Sequence, residues 1–482
     1  MRVYPVSIII LGILIIFLLC DWKKGVIRYF QHVFFLYVGV VLFSNIGNFI
    51  EIGSFSLTNR AFLSIYTFFV ALAVLFFDKL FDRRIMLAGI GLYVSVLIGY
   101  LSLTFMPYTG GVLHLLTNWD SYVYGGIQLD YELEFVFDFE TLFKVIHFPV
   151  VLAVAFKAFS KSQEKQYFLT KLLKISNYVL LYSVVELIAI KLFSIPISSI
   201  ILRPLFGESE ATFVYTERLQ GLFKEASHYA SAMFIWGLLN IFQIYISQHT
   251  DVRKTRIRIW CGIRFILILI LLLASTSFVG ILYCALLVIA ALLYCTKINK
   301  SMVAVCIVLF GLIAIFMITN EGIMKSLGLE SLYQRIYRTI ETFVRLFNGE
   351  TGTTSSEGAR FTSIFSMLQI LAQRPLFGVG AGITDAHSTL FATLGNLGLV
   401  GTALLAYMYV RFGNLKCNRI SLFIIIIIYL SFTGSFGGIF DFQYPMIFFF
   451  AGLTFKDRKR SLKGTEANSF KKRTPIKSFC NN

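Results

Sequence analysis

The stretch that decides the fold is "IWCGIRFILILILLLASTSFVGILYCALLVIAALLYC", residues 259–295, in which Arg264 is the only charged residue. A helix needs about 20 apolar residues to cross the roughly 30 Å hydrocarbon core of a membrane. This stretch is long enough for two such helices, and the polar "STS" at 275–277 marks a turn between them. It therefore predicts a helical hairpin that crosses the membrane twice.

Apolar runs of the same kind recur along the whole chain, which is 57% hydrophobic and 14% charged. A soluble domain has roughly 25% charged residues. We predict an all-α, polytopic integral membrane protein with about 13 transmembrane helices, and 12 to 14 as the range. The predicted spans are 3–20, 29–50, 61–77, 85–106, 141–159, 172–193, 229–247, 259–274, 275–295, 301–319, 388–410, 420–439 and 442–455.

The distribution of lysine and arginine predicts the orientation, because loops rich in these residues stay on the cytoplasmic side. If successive loops between the predicted helices lie on alternate sides of the membrane, 29 of the 43 lysines and arginines fall on one side and 11 on the other. The remaining three lie within predicted helices. The N-terminus is then outside and the C-terminus cytoplasmic. The net charge of +17 mostly reflects this retention signal, so it predicts no nucleic-acid partner.

We expect residues 1–455 to form a single transmembrane domain and residues 456–482 to form a basic, disordered cytoplasmic tail that can contact anionic lipids. The outer loops fall at about 107–140, 194–228 and 320–387. The third is a large helical extracytoplasmic loop. It contains an amphipathic helix at 331–347 and a second helix that Arg360 opens and Pro375 stops.

Three glycines, Gly378, Gly380 and Gly382, follow that stop in "RPLFGVGAGITDAHSTL", residues 374–390. They precede a transmembrane helix that begins near His387, on a side of the membrane where ATP and NAD are not available. A nucleotide cradle is therefore excluded. A tight packing turn accounts for at least two of the glycines, and Gly380 is the candidate for offering a backbone amide to a phosphate oxygen.

The second outer segment ends in "ERLQGLFKEASHYASAMF", residues 217–234, where the chain enters a helix. It brings Arg218, Glu225 and His228 to the edge of the membrane, where unpaired ionisable groups are costly. Either Arg218 and Glu225 form an ion pair that holds the loop, or these residues form part of a site. The local sequence leaves both possibilities open.

Three motifs resemble the O-antigen polymerase and O-antigen ligase family of polytopic glycosyltransferases. They are "RLQGLFKEASHYAS" at 218–231, "GARFTSIFSMLQILAQRPLFGVGAG" at 358–382 and "AHSTLFATLGNLGLVGTALL" at 386–405. The resemblance covers residues 218 to 405 in order and spacing. It implies an enzyme of the bacterial cytoplasmic membrane that joins sugars on the outer side, with a glycan on polyprenyl pyrophosphate as donor and a sugar hydroxyl as acceptor.

The resemblance also implies roles for individual residues. Arg218 and Arg360 would bind the pyrophosphate through forked hydrogen bonds, with Gly380 adding an amide. Glu225 would act as the base for the attacking hydroxyl, with His228 as the rival. His387 would contact the pyrophosphate or take the acceptor proton.

Such a glycosyltransferase requires no metal and no cofactor, since the donor carries its own leaving group. Its implied partners are the lipid-linked glycan, membrane lipids, a chain-length regulator and a flippase. The favoured function is an O-antigen or capsular polysaccharide polymerase, and the alternative is a ligase that moves the glycan to lipid A-core. A lipid-linked oligosaccharide flippase is the alternative of a different class. It should line a path with charged residues inside its helices, and we expect only Lys144, Lys191 and Arg264 there, with Lys157 and Lys174 at span ends counted among the loop residues.

Overall fold

The structure is a computed structural model. The structure describes residues 2–21, 23–43, 47–53, 55–106, 108–110, 131–133, 139–198, 219–223, 225–247, 253–275, 277–295, 319–326, 356–384, 388–414 and 445–451, with single residues elsewhere. Predictions for residues 301–318 and 415–439 lie outside the described residues.

Twelve helices with defined bounds make up most of the described chain. They are α1 Pro5–Asp21, α2 Val26–Phe43, α3 Asn59–Ala73, α4 Arg83–Phe105, α5 Phe139–Ala158, α6 Ser162–Phe193, α7 Ala226–Ser247, α8 Arg253–Ala274, α9 Phe278–Cys295, α10 Glu321–Ser326, α11 Ser356–Gln373 and α12 Thr389–Gly413. A π-helical turn, Val74–Asp78, continues α3. Residues 445–451 are also helical.

Within the described residues, eight helices are long and apolar enough to cross a membrane: α2 to α8 and α12. Two shorter apolar helices, Pro5–Asp21 and Val279–Leu292, coincide with two further predicted spans. The predicted break between two apolar helices is confirmed, because α8 ends at Ala274 and α9 begins at Phe278, whereas two crossings of the membrane stay a prediction. The chain is thus a mainly helical protein with the helices of a membrane protein, and the total of about 13 spans stays a prediction.

Three helix bounds differ from the sequence-based prediction. The second helix ends at Phe43, and strand residues follow where a span to residue 50 was predicted. The sixth begins at Ser162, ten residues before the predicted start of its apolar run, because the polar residues ahead of that run are good helix formers. The eleventh begins at Ser356, so Arg360 lies one turn inside it and does not open it.

Two small antiparallel sheets interrupt the helical architecture. Strands β1 Arg2–Val3, β2 Asn48–Ile52 and β3 Phe55–Thr58 form one sheet in the order β1-β2-β3. Its hairpin turns at Gly53, whose φ of +61° lies in the region that glycine adopts without strain. Strands β4 Tyr108–Gly110 and β5 Tyr131–Leu133 form a second pair. Neither sheet was predicted from the sequence, although the chain is mainly helical, as expected for the all-α class.

The contacts among helix ends define two opposite faces of the bundle. On the face that we call the sheet face, the three-stranded sheet joins the N-termini of α1 and α3, and Arg374 contacts the C-terminal end of α4. On the opposite face, which we call the basic face, Arg411 of α12 pairs with Asp82 ahead of α4 at 2.9 Å. There Gln31 of α2 also donates to the carbonyl of Ala158 at the end of α5. This grouping follows the predicted alternation of loops, and the sheet face is the one predicted to be outer.

Candidate functional site

The six residues that sequence reasoning assigned to the site fall into three groups. Glu225, His228 and Gly380 are described in full. Arg360 is described only as a backbone position in α11. Arg218 and His387 lie outside the described residues, so their roles stay predictions.

A tight turn holds Glu225 at the start of α7. Gly221 has a φ of +56°, and a side chain there would meet the ring of Tyr229 at 2.9 Å. The amide of Phe223 donates to the carbonyl of Gln220 and closes the turn. The turn thus packs on the first turn of α7, with Tyr229 fully buried beneath it.

Glu225 itself is exposed, directly ahead of the first residue of α7. One carboxylate oxygen accepts a hydrogen bond from the Ser227 hydroxyl at 2.9 Å. The backbone carbonyl of Glu225 accepts from the amide of Tyr229. His228, half-buried, is three residues along the chain on the same helix end. An exposed carboxylate held in one orientation is able to accept a proton from a bound hydroxyl group.

The backbone of segment 374–384 is hydrogen-bonded to α12 at a break in that helix. Gly398 interrupts the helix with φ +62° and ψ −169°. At this point the amides of Leu399 and Val400 donate to the carbonyls of Pro375 and Leu376, at 2.8 and 3.0 Å. In an unbroken helix these amides would donate to the carbonyls four residues earlier.

Two carbonyls of α12 that lose their helical partners at the break accept hydrogen bonds from the same segment. Gly395 accepts from the amide of Val379 at 3.2 Å, and Asn396 accepts from the amide of Gly380 at 2.9 Å. Four backbone hydrogen bonds to the segment therefore replace two inside the helix. The exchange keeps buried backbone groups paired, which the membrane interior demands.

Asn396 fixes the far end of the segment. Its side-chain oxygen accepts from the amide of Thr384 at 3.1 Å, and its side-chain nitrogen donates to the carbonyl of Thr384 at 2.9 Å and to that of Ala392 at 2.8 Å. Asn396 is fully buried. We refer to segment 374–384 and α12 together as the loop–helix unit.

All three glycines of the motif have positive φ, and their packing explains why. A side chain on Gly378 would meet the carbonyl oxygen of Asn396 at 2.5 Å, and one on Gly380 would meet the ring of Tyr100 at 2.1 Å. A side chain on Gly382 would meet Thr141 at 2.9 Å. The predicted packing turn thus matches the geometry at these positions.

The assignment of Gly380 to pyrophosphate binding is not retained. Its amide already donates to the carbonyl of Asn396, and the residue is buried against Tyr100 of α4. A backbone N–H carries a single hydrogen to donate. Gly380 therefore lets the segment approach α4 and α12 closely, and it has no amide left for a phosphate oxygen.

Sequence reasoning missed a buried polar network around Glu186 of α6. The hydroxyl of Ser198 donates to the Glu186 carboxyl group and lies 2.6 Å from the hydroxyl of Tyr182. Glu186 is only 2% exposed. The hydroxyl of Tyr229, which underlies the Gly221 turn, interacts electrostatically with Glu186. The signal was present in the sequence as one acidic residue in the apolar run "LLYSVVELIAI", residues 180–190.

A second missed group lies between α3 and α5, towards the sheet face. His147 is buried, and its Nε2 atom lies 3.1 Å from the hydroxyl of Ser64. Lys144 lies one turn away on α5 and forms an ion pair with Glu140 at 2.6 Å. The expectation that Lys144, Lys191 and Arg264 were the only charged residues inside the helices therefore omitted Glu186, since it counted basic residues alone.

The described geometry thus places two polar regions near the sheet face. The Glu225 turn sits on α7 above the Glu186 network, and the loop–helix unit joins α4, α11 and α12. Among the described residues, no group of three His, Cys, Asp or Glu side chains could hold a metal ion. When the chain is compared with models of known protein families and with curated proteins, no match is found.

Proposed function

We propose that the protein is an O-antigen or capsular polysaccharide polymerase. It joins oligosaccharide repeat units carried on polyprenyl pyrophosphate at the outer side of the cytoplasmic membrane. The observation that supports this most is the loop–helix unit, because it fixes the end of α11 and the start of α12 in one buried body. Arg360 lies in the first two turns of α11, 13 residues before its end, and His387 is two residues ahead of Thr389, where α12 begins.

In the proposed reaction, the hydroxyl oxygen of the acceptor sugar attacks the anomeric carbon of the donor. The bond from that carbon to the pyrophosphate oxygen breaks, and the pyrophosphate leaves with the bonding electrons. Glu225 takes the hydroxyl proton. Its exposure and its hydrogen bond from Ser227 support this role, since the carboxylate is oriented yet open to a ligand. His228 remains the alternative base.

Arg218, Arg360 and His387 would bind the pyrophosphate in this scheme. Arginine donates two parallel hydrogen bonds to a phosphate group and stays charged at every physiological pH. It can therefore stabilise the charge that develops on the leaving group. No metal ion is required for this step.

The test is a lengthening assay with purified protein and a polyprenyl-pyrophosphate repeat unit, without nucleotide sugar or added metal. We expect a ladder of longer glycans on a gel. Arg218→Ala and Arg360→Ala should each abolish the ladder, while Gln373→Ala, an exposed substitution at the end of α11, should retain it. An unchanged glycan length with wild-type protein would count decisively against a polymerase.

A lipid-linked oligosaccharide flippase is the second candidate, and the Glu186 network favours it. A buried carboxyl group among helix hydroxyls is the kind of group that lines a transport path. The variants Glu186→Gln and Glu225→Gln distinguish the two candidate functions. If the protein is a polymerase, Glu225→Gln should abolish glycan lengthening. If it is a flippase, Glu186→Gln should abolish transfer of the lipid across the membrane of sealed vesicles, and Glu225→Gln should leave that transfer unchanged.

A further inference from the structure

Arg374 directly follows α11 and reaches back to the end of α4. Its guanidinium donates to the hydroxyl of Ser102 at 2.7 Å and to the carbonyl of Met106. Both acceptors belong to the last turn of α4 or to the residue just after it. The side chain is therefore held in one orientation at the sheet face.

No carboxylate neutralises this arginine within the part of the chain that the structure describes. Arg374 forms no ion pair there, and its two hydrogen bonds go to neutral oxygens. A guanidinium carries five N–H donors. Three donors thus make no hydrogen bond to the described residues, and such donors on a fixed, positively charged group are the arrangement that recognises phosphate.

The surface around Arg374 is apolar and exposed. Phe105 is 78% exposed and Met106 72%, and Leu101 and Leu376 are each more than half exposed. Helix α4 has 23 residues, so it is about 34 Å long, which is enough to cross the hydrocarbon core from end to end. Its C-terminal end, and with it the guanidinium, then lies at the level of the lipid head groups.

We propose that Arg374 and Ser102 form a binding site for the phosphate head group of a bilayer glycerophospholipid. The phosphate accepts from the free guanidinium donors, while the acyl chains cover Leu101, Phe105 and Leu376. The exposed apolar residues favour a lipid over a water-soluble anion, because a free phosphate leaves them uncovered. Neither Arg374 nor Ser102 is among the residues proposed to bind the pyrophosphate, and the lipid site does not depend on the proposed function.

The test is native mass spectrometry of the purified full-length protein with added dioleoyl-phosphatidylglycerol. Wild type should retain one more lipid than Arg374→Gln, with an affinity about tenfold higher, as expected for loss of a charge-assisted hydrogen bond. Gln373→Ala, one residue earlier and also exposed, is the matched control and should bind as wild type does. Inorganic phosphate in excess should not displace the lipid.

Equal lipid retention by wild type and Arg374→Gln would overturn the proposal. Displacement of the lipid by farnesyl diphosphate at equal concentration would overturn it as well, since the site would then belong to an isoprenoid phosphate. If Arg374→Gln fails to fold, Arg374→Lys takes its place. Lysine keeps the charge but cannot contact Ser102, the Met106 carbonyl and a phosphate with one planar group, so unchanged affinity in that variant would also contradict the site.

Discussion

Replacing Gly380 by alanine should strongly destabilise the loop–helix unit. The residue has a φ of +101°, which an alanine adopts only with strain, and its new Cβ would lie 2.1 Å from the ring of Tyr100. Backbone strain and overpacking each cost about 1–3 kcal/mol, so we expect a loss of about 4 kcal/mol in the free energy of unfolding. That loss lowers the folded-to-unfolded ratio by roughly 1,000-fold.

The assay is unfolding of the purified protein in mixed micelles by titration with sodium dodecyl sulfate, followed by circular dichroism. Gly12→Ala in α1 is the matched control, because no atom lies within 4 Å of the added methyl group. It should leave the protein as stable as wild type or more stable by about 0.5–1 kcal/mol. In a Tyr100→Ala background, the cost of Gly380→Ala should shrink to the backbone strain alone. A wild-type unfolding midpoint for Gly380→Ala would refute the reasoning.

Three other changes test separate parts of the account. Asn396→Leu should lower the free energy of unfolding by about 2–4 kcal/mol in the same titration, because it leaves the amide and carbonyl of Thr384 buried without their partner; an effect below about 0.5 kcal/mol would contradict this. Burial alone would raise the pKa of Asp82, but hydrogen bonds from Arg411 and two backbone amides lower it below 3.8. The stability that this pair contributes is therefore present above pH 4 and lost as the pH falls through the lowered pKa. Asp82→Asn should remove that acid-dependent loss, and an unchanged pH profile would argue against it. Glu225→Gln should slow glycan lengthening by about 100-fold, and full activity would exclude Glu225 as the base.

The sequence predicted the helices better than the connections between them. The turn between α8 and α9 was clear because three polar residues interrupt a long apolar run. The hairpin of β2 and β3 was missed because the predicted span ran through "SNIGN", residues 44–48, although its Ser, Asn and Gly residues are turn formers. What the local sequence cannot show is the pairing of β2 with β1, because β1 lies more than 40 residues earlier in the chain.

The site was predicted only in part, for a different physical reason. That the three glycines form a packing turn follows from their spacing, and their positive φ angles agree with it. The break at Gly398 could not be predicted, because it depends on amides and carbonyls that come from a segment about 20 residues earlier. The Glu186 network is likewise a tertiary feature, although its single acidic residue stands out in the apolar run.

The most direct test of the proposed function is the stoichiometry of the leaving group. Purified protein in nanodiscs is supplied with a repeat unit on polyprenyl pyrophosphate, and both new glycosidic linkages and free polyprenyl pyrophosphate are measured over time. We predict that one free polyprenyl pyrophosphate appears for each new linkage, and that Arg360→Ala abolishes both. New linkages without release of polyprenyl pyrophosphate, or release without longer glycans, would contradict the account.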